Sequence, residues 1–243
     1  MKINRSIVTL GGAALLVGIS GMAHAGIANT KHNLSSSGAA AGNTIYADDG
    51  GAASEICVFC HTPHAATVAS ANNTLPLWNR NVASAAASYA VYSSTTLNAV
   101  ITNPGGLDTA DTATISNLCL SCHDGTVAIA SVNNPSNNWD QATMYGDMVG
   151  LTADKMPAGN TNLGTDLAND HPINFIYDDV ADVDSSIYAE ADAETNGARF
   201  FGQVAGSKTM QCASCHDPHT ESNAPFLRVS PVGSDLCLAC HNK

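Results

Sequence analysis

The chain is short of what usually builds a self-supporting core. Aromatic residues are 5% of its 243 residues and charged residues 12%, while Ala, Ser, Asn, Thr and Gly fill most of the length. Few large side chains leave little apolar area to offset the conformational entropy of folding, so another source of apolar mass is expected. Positive charge is scarce as well: 9 Lys+Arg stand against 21 Asp+Glu, a formal net charge of −12. That deficit speaks against nucleic acid, whose binding needs Lys and Arg at the phosphates, and against anionic membrane surfaces. Long apolar runs are missing beyond the first residues. The one present, IVTLGGAALLVGIS, follows Lys2 and Arg5 and precedes Ala23-His24-Ala25. A basic start, an apolar stretch too short to span a bilayer and an Ala-x-Ala end read as a secretory signal peptide over residues 1–25. Residues 26–243 are then one exported domain with no membrane span.

Regular periodicity is also rare. Residues 35–51, 103–114 and 156–172 are rich in Gly, Asn and Asp and read as turns and connectors. Short helices are expected over residues 110–123 and 234–241, where Ser, Thr or Asp can cap the start. Short strands are expected over 87–94 and 171–180. The fold class that follows is mostly loop and coil, with short α-helices and little β.

Cysteine and histidine carry what the rest of the sequence withholds. All eight cysteines fall in four Cys-x-x-Cys pairs, Cys57/Cys60, Cys119/Cys122, Cys212/Cys215 and Cys237/Cys240, followed directly by His61, His123, His216 and His241. Exported proteins favour disulfides, and two thiolates at this spacing can also reach one tetrahedral zinc. Neither needs a histidine after every pair. Covalent c-type haem does: the two thiols add to the porphyrin and the adjacent histidine ligates iron. Four haem c groups are therefore expected, and they supply the missing apolar mass. The motifs also repeat in kind. CVFCHTPH resembles CASCHDPH, and LCLSCHDG resembles LCLACHNK, which gives an order A, B, A, B.

Four histidines remain outside the signal segment and the motifs: His32, His64, His171 and His219. Four irons each need one more axial ligand, so the numbers match and bis-histidine ligation is expected. Met144, Met148, Met156 and Met210 are the rival sixth ligands, and Met/His ligation would raise the potential. His64 and His219 each trail a motif histidine by three residues across a proline, too close to reach the far face of the same iron. The repeat suggests that His64 serves the haem of Cys119/Cys122 and His219 that of Cys237/Cys240, leaving His32 and His171 for the two A motifs. The acidic run YDDVADVD (177–184) reads as solvated surface, since it lacks the glycine and terminal glutamate of a calcium loop. Trp78 and Trp139 are candidates for packing on porphyrin edges, and equally for simple core packing.

The four motifs, the His-Thr-Pro-His and His-Asp-Pro-His extensions and the Asp-His-Pro segment at 170–172 resemble the outer-surface tetrahaem c-type cytochromes of metal-reducing bacteria, of the OmcE type. The resemblance implies a filament with bis-histidine haems in a continuous chain, at the cell surface or beyond. It also implies one axial histidine donated by a neighbouring subunit, a role that by position would fall to His32. Other copies of this chain, other redox cytochromes or extracellular acceptors are the partners implied. With both axial positions filled, the expected work is electron transfer and not catalysis. A soluble periplasmic shuttle is the alternative, and a multihaem reductase with one open iron is a second.

Overall fold

The computed structural model describes residues 26–47, 54–66, 77–80, 88–105, 114–135, 148–202 and 207–243. The expected signal segment and Trp139 lie outside them. Regular structure is sparse within them. The longest helix, α1, is Thr114–His123, and α2 (Asp178–Ala181), α3 (Glu190–Thr195), α4 (Cys212–Cys215) and α5 (Asp235–Leu238) have one or two turns each. Short 3-10 turns occur at Gly26–Asn29, Ile56–Phe59 and Val232–Ser234.

Every strand has two residues, and each pairs with a strand distant in sequence. β1 (Tyr46–Ala47) runs antiparallel to β3 (Met148–Val149), β2 (Ala90–Val91) parallel to β4 (Asp166–Leu167), and β5 (Phe175–Ile176) antiparallel to β6 (Thr209–Met210). These pairings are clips that hold loops together more than sheets with faces of their own. Glycine makes one of them feasible. Gly150, just after β3, has φ +82°, and a Cβ there would meet the Thr44 carbonyl oxygen at 1.9 Å, so only glycine admits that approach.

The expected helix at 110–123 forms from Thr114 on and closes at Gly125 (φ +68°), a left-handed residue of the kind that ends helices. At the other site the helix is shorter than expected, covering Asp235–Leu238 after a 3-10 turn. The expected strands shrink to Ala90–Val91 and Phe175–Ile176, and the second region turns helical at Asp178.

The apolar interior is divided. Ala47, Phe59, Ile129, Ala130, Val132 and Met148 form one cluster, with Cys60 and Cys122 packed against it. A second holds Phe175, Tyr177, Ala193, Phe200 and Met210, with Cys240 at its side. Leu118 and the trio Tyr89, Leu120 and Leu167 form two smaller ones. Attachment cysteines thus border both larger clusters.

Candidate functional site

Each Cys-x-x-Cys-His unit sits on a helical turn, and the turn explains the spacing. Positions i, i+3 and i+4 share one face of a helix. The backbone N–H groups of His61, His216 and His241 close on the carbonyls of Cys57, Cys212 and Cys237 at 2.7, 3.1 and 2.9 Å. In the second motif the same turn is the end of α1. Both thiols and the imidazole of each unit are thereby presented to one side.

Motifs adjacent in sequence adjoin in space. Burial pushes the Cys60 thiol up to about 12, with nearby Cys122 adding to the shift. A hydrogen bond between Cys119 and Cys212 raises the pKa of the first and lowers that of the second. Burial pushes Cys215 up to about 11, with Cys240 contributing. Helices α1 and α4 join the second and third motifs directly: Ser116 donates to the Gln211 side chain through both its N–H and hydroxyl, and the Cys212 N–H donates to Ser116 Oγ at 3.1 Å. None of the eight cysteines is bonded to another. Among the described residues no three His, Cys, Asp or Glu side chains are grouped to hold a metal ion, so neither a zinc cage at the motifs nor a cation cage at 177–184 is formed.

The histidines pair off, one motif histidine with one spare histidine each time. Ring centroids lie 6.2 Å apart for His61 and His219, 6.1 Å for His123 and His32, and 6.4 Å for His241 and His171. Two metal–nitrogen bonds of about 2.0–2.1 Å end to end, plus the half-width of each ring, put two axial imidazoles roughly 6 Å apart. The rings are thus too far apart to touch and correctly spaced for an iron between them. His64 and His216 are both exposed.

This is not the pairing that the A, B repeat suggests. His219 faces the first motif and not the fourth; His171 faces the fourth motif and not an A motif. His32 faces the second motif of its own chain: its Nδ1 shares a hydrogen bond with the Pro218 carbonyl at 3.1 Å, and its ring lies 4.2 Å from that of Phe226. Both contacts are made within the chain. The cause is long-range packing, because the loop after the third motif folds back onto the first. Of the rival methionines, Met148 and Met210 are built into the two larger clusters. Met156 packs at the edge of the first cluster and its sulfur accepts from Thr161 at 3.7 Å. Met144 lies outside the described residues.

The imidazoles are anchored for ligation. Nδ1 of His123, His171 and His216 lies 2.7, 2.9 and 3.1 Å from the carbonyl oxygens of Thr161, Pro172 and Pro225, and Nδ1 of His219 lies 3.2 Å from Asp217 Oδ1. Such a partner places the proton on Nδ1 and leaves the Nε2 lone pair for a metal. Burial lowers the pKa of His32 to about 4, with His123, His219 and His216 pushing the same way; burial also lowers His241. These rings are neutral at physiological pH, the form that ligates.

One further side chain fits a haem. Trp78 stands edge-on to His61, with centroids 5.9 Å apart, and its buried Nε1 has no hydrogen-bond partner among the described residues. A donor left so beside a motif histidine would suit an acceptor carried by a bound haem, such as a propionate. Sequence reasoning left Trp78 between a porphyrin edge and simple core packing; the ring packs against Leu118, and this donor had no signal in the sequence.

A family model described as a doubled CXXCH motif matches residues 205–243, the segment holding the third and fourth motifs. The chain carries the paired haem-attachment motif of multihaem c-type cytochromes. That motif supports covalently bound haem and a role in electron transfer, and attachment of this type implies a location outside the cytoplasm. No curated protein matches the chain. Among the described residues no helix is long and apolar enough to cross a membrane.

Proposed function

We propose that this protein carries electrons through four c-type haems, each with two axial histidines. The observation that carries the proposal is the set of three facing pairs, His61/His219, His123/His32 and His241/His171, each joining one motif histidine to one spare. By elimination His64 serves the haem of His216. The elimination agrees with chain direction: His61 opposes His219, and each is joined to the remaining partner by a short spacer containing Pro63 or Pro218. The first and third motifs would then exchange ligands reciprocally. Haem iron held between two histidines supplies reversible one-electron transfer and, with both axial positions occupied, no seat for a substrate. The residues do the rest: the carbonyl-anchored imidazoles hold the coordination unchanged between oxidation states, and the adjoining cysteines keep successive groups close.

Export to the cell exterior is part of this reading. The resemblance to filament-forming cytochromes supports a polymer, with further copies of the chain as partners. The in-chain placement of His32 supports a discrete shuttle instead, since the distal histidines then serve their own chain. Electron microscopy of the secreted protein separates the two. The haem reading itself is tested by a pyridine haemochrome assay and EPR of the purified protein. Four haems per chain, all low-spin when oxidised, is the expected result, and a high-spin ferric signal would favour a reductase.

A further inference from the structure

The tetrapeptide His216-Asp217-Pro218-His219 serves three sites at once. His216 closes the third motif, the Pro218 carbonyl lies 3.1 Å from Nδ1 of His32, and His219 faces His61 across 6.2 Å. Asp217, among them, carries a carboxylate that neither attaches nor ligates a haem. Its Oδ1 accepts from the His219 N–H at 3.0 Å and faces His219 Nδ1 at 3.2 Å. The first bond closes a turn of the Asx kind, and Pro218 fixes φ between the two residues. The Asp217 N–H in turn donates to the Phe226 carbonyl at 2.7 Å. The backbone itself therefore sets the carboxylate against the ring.

His219 differs in this from its counterparts. His32, His123, His171 and His216 rest Nδ1 on neutral main-chain carbonyls, whereas His219 rests it on an anion. A carboxylate draws the Nδ1 proton further from the ring than a carbonyl does, which makes the imidazole a more basic ligand. Net charge is not the agent. Asp217 Oδ2 faces Arg228 Nη1 at 3.5 Å, so the two residues together are formally neutral. What acts on the ligand is the direct bond to its own nitrogen.

We propose that Asp217 is a positioning residue that gives His219 histidinate character, and that it thereby lowers the midpoint potential of the haem on Cys57 and Cys60. The proposal rests on the haem reading above and on the His61/His219 pairing. A more basic ligand donates more to the ferric iron than to the ferrous, so the oxidised state gains.

An EPR-monitored redox titration of the holoprotein tests this. The haem concerned is identified by the low-spin signal lost in H219A. In D217N a neutral amide replaces the carboxylate, and that midpoint should rise by about a tenfold change in the reduction equilibrium, about 59 mV for one electron. The haem should stay low-spin while its near-infrared charge-transfer band moves to lower energy. Because D217N leaves the Arg228 charge unmatched, D217N/R228Q is the control, and both changes should persist in it. An unchanged midpoint in D217N, a high-spin signal there, or a rise that disappears in the double variant overturns the tuning role. If D217N does not mature, the unmodified protein decides. The charge-transfer band lost in H219A should stand at higher energy than the other three, and four coincident bands would sink the idea. Absence of haem from the unmodified protein would instead defeat the haem reading, and four low-spin haems in H219A would defeat ligation by His219.

Discussion

An imidazole serves a metal only through a nitrogen that holds no proton, so whatever binds the other nitrogen decides whether the ring can ligate. Here that partner is a backbone carbonyl for His32, His123, His171 and His216. At this scale the pairing is open to direct test. Removing the ring opposite a motif histidine should turn one haem, and one only, high-spin. H219A should do so at the haem of Cys57/Cys60, H171A at that of Cys237/Cys240, and H64A at that of Cys212/Cys215, each read by EPR in the oxidised protein. A high-spin fourth haem in H219A would restore the A–B pairing suggested by the repeat.

Elements in this protein are short, and what matters is how they are tied. The seam between α1 and α4 depends on Gln211, whose side chain accepts from the N–H and hydroxyl of Ser116 and caps α4. Q211A leaves those buried donors unmatched, at roughly 1–3 kcal/mol each, so a loss of about 2–3 kcal/mol is expected in denaturant unfolding. A second tie joins α3 to the segment before β6: Lys208 bridges Glu190 at 2.8 Å and Glu194 at 2.9 Å. Its pKa is raised by hydrogen bonding to Glu190 and then Glu194. A raised folded value means that the contribution is complete below the ordinary lysine value of 10.5 and is lost as pH climbs through the folded value. K208M should therefore cost about 1 kcal/mol near neutrality, and its difference from the unmodified protein should vanish in strongly alkaline solution.

What the sequence disclosed and what it hid divide along the same line. The helices at the second and fourth motifs were legible in part, because Ser, Thr or Asp stands where each can be capped, whereas no helical turn was expected at the first and third. Two-residue strands leave no alternation to detect. The facing rings differ from the pairing that the repeat suggested, because likeness between motifs reports how a haem is attached, whereas the opposing ring comes from whichever loop packs there. Asn79 and Arg80 carried no local signal at all. Their bonds to Val58 and Ser121 exist because the folded chain brings those groups within reach.

At the scale of the whole molecule, the buried apolar side chains among the described residues form four clusters and not one core, and attachment cysteines stand beside the two largest. Clusters this small each bury little apolar area, and four bound haems would add to it. Produced without haem attachment, the polypeptide should show no cooperative thermal transition by circular dichroism, and a sharp transition in the apoprotein would contradict this account.

Three of the anchoring carbonyls belong to Pro172, Pro218 and Pro225. A main-chain oxygen is present whatever side chain a position bears, and proline keeps its direction by fixing φ. Ligand orientation in this protein is therefore insulated from side-chain drift. Descendants of a common ancestor could replace most of the Ala, Ser, Asn and Thr positions and keep the same coordination, so long as the cysteines, histidines and a few prolines persisted. Kinship among such chains would be found by matching the spacing of those residues, where overall identity has already faded.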